Sequence, residues 1–474
     1  MKFTHDVIVI GAGAAGLTAA GGCALFGLKV ALIERADMGG ECLNNGCVPS
    51  KALITAAKRA AVANEQDRFG VQLTAARVNW SGVHAHIHRA IAEIAPHDSQ
   101  ERFEEMGCDV YRGHATFTGR RKVRVGDVDL AAPKIVIATG SAPYLPPIDG
   151  LDSVPFLTNE NIWDLDQLPQ HLVIVGGGVI GMEMAQSFRR LGSEVTVIEP
   201  GEPMGRDDPE SVAVVVETME AEGVMFVKGK AARVTPGALS SLTVTLEDGQ
   251  EIAGTHLLVA VGRRARTEGY GLKKIGIELG RNGILVDERR RTSLKHIYAI
   301  GDCRDGPRLT HVSGYEGSNV ALEITLGLPT KVDWSALPWC TYTDPEVAQI
   351  GLTEAQAREK HGQEVTVVRE GFDHNERAIA EGDTRGHLKV IMQGKKVLGA
   401  SIVGKNAGEM LLPFAQLITG KASTFALGSA IVAYPTRSEI TKAAAFSAWE
   451  GTVFGKVPRG YAKTRAWFRR MRPF

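Results

Sequence analysis

The chain has little that would mark it as exported, membrane-embedded or built for a polyanion. Only six cysteines occur in 474 residues. That is too sparse for a secreted disulfide framework and points to a thiol-keeping, cytoplasmic compartment. Lys plus Arg and Asp plus Glu both number 54, so the formal net charge is zero. No overall field steers such a protein toward nucleic acid. The long uncharged run from Val7 to Leu28 would suit a membrane span, but its internal order excludes one. A short β-branched strand (Val7 to Ile10) is followed by a glycine turn, an Ala-rich stretch and a second strand, Val30 to Ile33, ending at Glu34. What remains is ordinary globular composition, 44% hydrophobic and 23% charged, at a length that predicts about three domains.

That βαβ pattern occurs twice. Gly11, Gly13 and Gly16 follow the first strand, with Glu34 closing the next one; Gly176, Gly178 and Gly181 follow Val173-Ile174-Val175, with Glu199 closing Val195 to Ile198. In a G-x-G-x-x-G turn the first glycine permits the sharp bend and the second lets backbone approach a pyrophosphate. The third lets helix and strand pack closely, and the acid accepts a ribose hydroxyl. One copy is a weak signal, but two with correctly spaced acids imply two dinucleotides. Glu199 would accept a ribose 2′-hydroxyl and repel a 2′-phosphate. Pro200, Gly201 and Glu202 supply no cation and Arg206 is the nearest, so NADH is favoured over NADPH. Buried-strand runs ending in glycine follow each unit, at Thr139-Gly140 and Gly262-Arg263, and Gly301-Asp302 closes a further strand.

Cys42 and Cys47 lie in Gly39-Gly40-Glu41-Cys42-Leu43-Asn44-Asn45-Gly46-Cys47-Val48-Pro49-Ser50-Lys51. A C-x4-C spacing fits neither a zinc knuckle nor a thioredoxin-like C-x2-C motif. It can close a small disulfide. Pro49 suits a helix opening, which would put Cys47 at a helix N-terminus where a thiolate is stabilised. Two unlinked structural cysteines are the alternative.

From Asp6 to Glu439 these motifs, in this order, resemble the FAD-dependent pyridine nucleotide-disulfide oxidoreductases, a family that includes lipoamide dehydrogenase, glutathione reductase and mercuric reductase. The resemblance implies an α/β fold: two Rossmann-like dinucleotide-binding domains, for FAD and NAD(P), plus an α+β C-terminal dimerisation domain. It assigns residues 1–150 with 275–333 to FAD, 151–274 to NAD(P), 334–450 to the interface, and leaves 451–474 as a tail. Gly11, Gly13, Gly16, Glu34, Thr139, Gly140, Asp302 and His311 then correspond to the FAD site, and Gly176, Gly178, Gly181, Glu199, Gly262 and Arg263 to the nicotinamide nucleotide site. Cys47 corresponds to the flavin-proximal thiolate and Cys42 to the thiol that meets substrate. Lys51, paired with Glu183, corresponds to the cation near the flavin. The implied assembly is a homodimer whose active site is shared between chains.

The departure lies at Tyr434-Pro435-Thr436-Arg437-Ser438-Glu439, where the family's disulfide reductases carry a histidine in place of Tyr434. A phenol with a reference pKa near 10 is a poor base at neutral pH, whereas imidazole works in both directions. Weak turnover of ordinary disulfides is therefore expected. Tyrosine at this position resembles mercuric reductases, but no cysteine follows Cys340, so their C-terminal thiol delivery is missing. The expected acceptor is a soft metal ion, a quinone or an unusual disulfide. Alternatives are a lipoamide dehydrogenase with an altered proton shuttle, or a redox sensor of low turnover.

Other features rank lower. His84, His86 and His88 can bring at most two rings to one helix face, so no bound metal is expected. Cys23, Cys108 and Cys303 read as core. After Glu450 the chain has seven basic residues and no acidic one, interleaved with Phe454, Tyr461, Trp467, Phe468 and Phe474. Such a segment fits a solvated terminal helix, or contact with an anionic membrane surface or a protein partner.

Overall fold

The computed structural model describes residues 2–64, 68–71, 77–238 and 241–471; Phe474 lies outside them. The chain forms two compact units. The first comprises Met1–Glu202 and Gly223–Val332, the second Pro203–Glu222 and Asp333–Phe474.

The first unit contains both glycine fingerprints. Its larger parallel sheet runs Ile297–Ala299, Lys134–Ile137, Val7–Ile10, Val30–Glu34, Cys108–Arg112. Val7, Ile8 and Val9 are wholly buried, because Val7 and Val9 pack on helix residues such as Ala20 and Val320 while Ile8 packs on Phe117, Val123 and Leu130 on the other face; a sheet covered on both faces explains the uninterrupted apolar run. The second parallel sheet has the order Val224–Lys228, Glu194–Glu199, His171–Val175, His256–Val259. Each sheet is accompanied by a three-stranded antiparallel meander, Ala115–Gly119 to Val128–Ala131 in one case and Ala231–Pro236 to Glu251–Gly254 in the other. The repeat thus extends beyond the fingerprints. An antiparallel ribbon pairs Ser141–Pro143 with Arg263–Ala265.

Small residues set the helix packing beneath the first turn. The helix Ala14–Leu25 lies against Thr310–Leu326. A Cβ on Gly22 would come within 2.8 Å of Ala321 Cβ, and one on Gly317 within 2.7 Å of the Ala15 carbonyl. This close approach fixes where the second helix begins, and hence where Thr310 stands.

In the second unit, five antiparallel strands run Pro338–Thr341, Glu346–Gly351, Lys396–Gly404, His387–Gln393, Val365–Gly371. The segment His387 to Ile391 reads as an alternating strand and lies in one, and residues 388–392 are all buried. Lys389 enters this interior because three carboxylates receive its ammonium: Asp208 at 2.9 Å, Glu210 at 2.8 Å and Glu354 at 2.7 Å. Two of them come from Pro203–Glu222, a segment inside the expected 151–274 region that packs with this sheet. Among the described residues, no helix is long and apolar enough to cross a membrane.

Candidate active site

The short helix Gly40–Asn44 carries Cys42, and the helix Cys47–Asn64 opens on Cys47 with Pro49 in its first turn. Between them a Cβ on Gly46 would press to 3.0 Å from the Glu41 carbonyl, so the connection is tight, and the Cys42 thiol is within hydrogen-bonding reach of Cys47. They are not bonded in this structure. Cys47 is lowered to about 6, first by the hydrogen bond from the Cys42 thiol, then by Thr310 and the Lys51 charge, against burial and Glu183. The same hydrogen bond, together with burial, pushes Cys42 strongly upward. One sulfur is thus held as thiolate and the other as its proton donor. Thr310 Oγ1 lies 3.1 Å from Cys47 Sγ.

Lys51, one turn along from Cys47, reaches Glu183 Oε2 at 2.9 Å and Oε1 at 3.1 Å. Glu183 is buried on the second fingerprint helix, Val179–Leu191. The expected pair is therefore together. Asp302 sits in the turn Gly301–Cys303, and its Oδ2 accepts from Ser141 at 2.7 Å with Arg263 Nε at 3.8 Å. Arg263 donates to Ser141 at 2.8 Å, to Asn159 at 3.2 Å, and to Glu41. Burial raises Glu41 to about 7 despite the opposing guanidinium. Beneath the Asp302 turn, wholly buried Glu316 holds the Gly301 amide at 2.8 Å and Arg304 at 2.7 Å.

Both fingerprint turns take the same shape. A Cβ at Gly11 would stand 2.2 Å from the Ala138 carbonyl, and one at Gly16 1.8 Å from that of Gly11. At Gly176 and Gly181 the corresponding distances are 2.6 Å to Ala260 and 1.9 Å to Gly176. Glu34 receives the amides of Ala12 at 2.6 Å and Ala36 at 2.8 Å; Glu199 receives those of Gly177 at 2.7 Å and Gly201 at 3.0 Å. Each carboxylate keeps lone pairs for a ribose hydroxyl. The helices Ala14–Leu25 and Val179–Leu191 start on Gly13 and Gly178, side-chain-free positions at a helix N-terminus. These residues fit a dinucleotide pyrophosphate in both turns. Gly140 and Gly262 have φ of +69° and +135°, a backbone that favours glycine. Thr139 Oγ1 donates to the Arg266 carbonyl at 2.7 Å.

Tyr434 and Glu439 belong to the second unit. Glu439 opens the helix Glu439–Val453 and accepts the Thr436 amide at 3.1 Å. Tyr434 is 70% exposed, and among the described residues its phenol has no hydrogen-bond partner in the chain. The structure does not pair these two side chains directly. His311 is exposed beside Thr310; of the two neighbours, the threonine touches the thiolate. Sequence reasoning passed over Glu41, Ser141, Asn159 and Thr310. Only Glu41 had a local signal, a charged residue adjoining a candidate redox cysteine.

Comparison with known proteins agrees with this geometry. Residues 5–317 match the pyridine nucleotide-disulphide oxidoreductase family, and residues 337–445 match that family's dimerisation domain. The chain belongs to this family. A mercuric reductase from Lysinibacillus sphaericus is 34% identical over 94% of this chain and 82% of its own length. A dihydrolipoyl dehydrogenase from Geobacillus stearothermophilus is 33% identical over 93% and 95%. Among solved structures, a Cu(II) complex of the HOCl-induced flavoprotein disulfide reductase RclA from Escherichia coli superimposes with a TM-score of 0.83. It is 28% identical and covers 92% of this chain and 99% of that one. As a family member the protein is an FAD-dependent oxidoreductase that uses a pyridine nucleotide. Its dimerisation domain points to a homodimer.

Cys23, Cys108 and Cys303 are buried and lie away from this chemistry. Burial raises Cys23 to about 12 and Cys108 and Cys303 to about 11. His84 and His88 do share a helix face, with Nε2 atoms 3.1 Å apart. Among the described residues no group of three or more side chains could hold a metal ion.

Proposed function

We propose that this protein uses NADH to reduce a thiophilic metal ion, with Cu(II) the leading acceptor, through the Cys42–Cys47 pair. The observation that carries this reading is the asymmetric thiol pair: Cys47 opens a helix with Thr310 Oγ1 3.1 Å from its sulfur and is shifted toward the thiolate, while Cys42 is shifted toward the protonated thiol. Vicinal soft sulfur donors are ligands suited to copper and mercury. Bound FAD would supply the two-electron step between NADH and the disulfide. Opening the disulfide consumes two electrons and one proton, which Cys42 takes while Cys47 is left as the thiolate. Oxidation of that thiol–thiolate pair by two Cu(II) ions yields the disulfide, two Cu(I) ions and one proton, so the cycle balances.

Each side chain has a role in that cycle. Cys42 meets the acceptor. Cys47, held by Thr310 and near the Lys51 charge, stays ionised and would be the sulfur nearer a bound flavin. Lys51 with Glu183 sets a cation where negative charge develops on reduction. Glu34 and the first glycine turn would hold FAD, while Glu199 and the second turn would hold the nicotinamide nucleotide. Lys228, opposite Glu199 in the adjoining strand, is engaged by Glu202 at 2.6 Å. It is therefore a weak receiver for a 2′-phosphate, which supports NADH. Tyr434 and Glu439 would be supplied by a second copy. The exposure of Leu412, Phe425 and Ile431 in the same unit supports a face that another copy covers.

An acceptor panel under anaerobic conditions tests this reading, comparing Cu(II), Hg(II), a quinone and lipoamide by NADH consumption. Saturable Cu(II) turnover that disappears in Cys42→Ser supports it. Lipoamide turnover exceeding that with Cu(II) would instead favour the dihydrolipoyl dehydrogenase reading, which that relative supports. In that case Tyr434→His should accelerate lipoamide turnover about 10²-fold or more.

A further inference from the structure

Among the described residues, the C-terminal helix Lys456–Arg470 stands apart from the other long helices because none of its residues is buried. The preceding helix Glu439–Val453, by contrast, seats Ile440, Ala444 and Ala445 in the core of the second unit. Only Phe454 and Gly455 separate the two, and the Phe454 ring lies edge-on to Phe446 with centroids 6.1 Å apart. The last helix is thus joined to an anchored one by a short link. Pro458 lies in its first turn, where a missing amide hydrogen costs little.

Its faces are sharply divided. Val457, Tyr461, Phe468 and Met471 recur at helical spacing and form one stripe, with Trp467 on its border. Val457 is 82% exposed and Phe468 61%. Lys456, Arg459, Lys463, Arg465, Arg469 and Arg470 occupy the rest of the circumference, and the helix contains no acidic residue. At about 1.5 Å per residue it is about 22 Å long, and charge covers most of its surface, so it cannot cross a bilayer. An apolar stripe bordered by cations and edged with Trp and Tyr matches the boundary between acyl chains and anionic headgroups.

We infer that Lys456–Arg470 is an interfacial helix that lays Val457, Tyr461, Phe468 and Met471 into an anionic lipid surface. The helix brings this flavoprotein to a membrane face. Cations spread over the polar face would meet lipid phosphates on both sides of the stripe, which a single acidic peptide strand would not do.

Co-sedimentation of the full-length holoenzyme with phosphatidylcholine vesicles, with and without phosphatidylglycerol, tests the inference. Sedimentation is expected only with phosphatidylglycerol and should weaken as salt rises. The double variant Arg465→Glu/Arg469→Glu should reduce partitioning at least about tenfold, given the contribution of each cation near such a surface. Phe468→Ser should reduce it as well, whereas a charge-only association would be indifferent to it. Flavin absorbance and NADH oxidation should stay unchanged in both variants, which separates lost docking from lost folding and from failure of the proposed acceptor. Binding that ignores phosphatidylglycerol, or that survives the double variant, would overturn the inference. So would dissociation of the dimer on removal of residues 455–474, which would assign the helix to a second copy instead.

Discussion

The two glycine turns are nearly the same object, yet their surroundings differ at one point. In both, the first and third glycines lie against backbone carbonyls and an acid captures an amide of the turn. At the middle glycine they diverge. Gly13 is bridged to Gly39, whose amide donates to the Ala12 carbonyl at 3.0 Å, and a Cβ on Gly40 would stand 2.6 Å from Gly13 Cα. A Cβ on Gly178 would meet nothing within 4 Å. The first turn is roofed by the segment that leads into Cys42, and the second is open. A roofed turn suits a ligand that stays through every cycle, and an open one suits a ligand that must leave each time. The difference is made not by the fingerprint but by what the chain lays over it.

The largest effects should come from the third glycines. Gly16→Ala and Gly181→Ala each push a methyl into a carbonyl, at a cost of about 3 kcal/mol or more. Gly16→Ala is expected to purify colourless. Gly181→Ala should retain its flavin absorbance but lose NADH-driven flavin reduction by about 100-fold or more, measured by stopped flow. Loss of flavin from both would mean that the turns are not independent. A gentler pair probes the roof itself. Gly40→Ala should release flavin during dialysis about tenfold faster at unchanged KM for NADH, and Gly178→Ala should raise that KM about tenfold with flavin retention intact.

Two smaller effects sharpen the assignment of each side. Glu199→Arg should shift the NADPH-to-NADH ratio of kcat/KM upward about tenfold, since it exchanges repulsion of a 2′-phosphate for attraction. An unmoved ratio would show that Glu199 does not face the ribose. On the roofed side, the Cys47 thiol is lowered to about 6, so the thiolate dominates above that pH and the protonated form below it. The long-wavelength thiolate-to-flavin absorbance of the two-electron-reduced protein should therefore halve near pH 6 and fade with further acid. In Thr310→Val the midpoint should move upward, because the thiolate loses a hydrogen-bond donor.

Much of this was legible in the residues because backbone geometry writes itself into composition. Gly11, Gly16, Gly176 and Gly181 are glycines because carbonyls occupy the places where side chains would be, and spacing alone conveys that. The Lys51–Glu183 pair, by contrast, bridges 132 positions, and only the family resemblance suggested it. Thr310 and Asn159 reach the site through helix packing and through the 141–143 and 263–265 ribbon, relations that no local pattern encodes. His387–Gln393 is the strand its alternation suggests, but the burial of Lys389 was not legible, for a physical reason. Lys389 reads as a surface residue until three carboxylates, two of them from residues 203–222, surround it.

The bridge from Gly13 to Gly39 also bears on how this stretch can change over generations. Only Gly40 and Glu41 lie between that bridge and Cys42, so a residue inserted there would shift a sulfur and lift the cover from the turn in one stroke. The stretch from 39 to 47 thereby serves twice, with Gly39 and Gly40 as a clasp and Cys42 and Cys47 as reagents. A change of length that one role would tolerate is exposed to selection by the other.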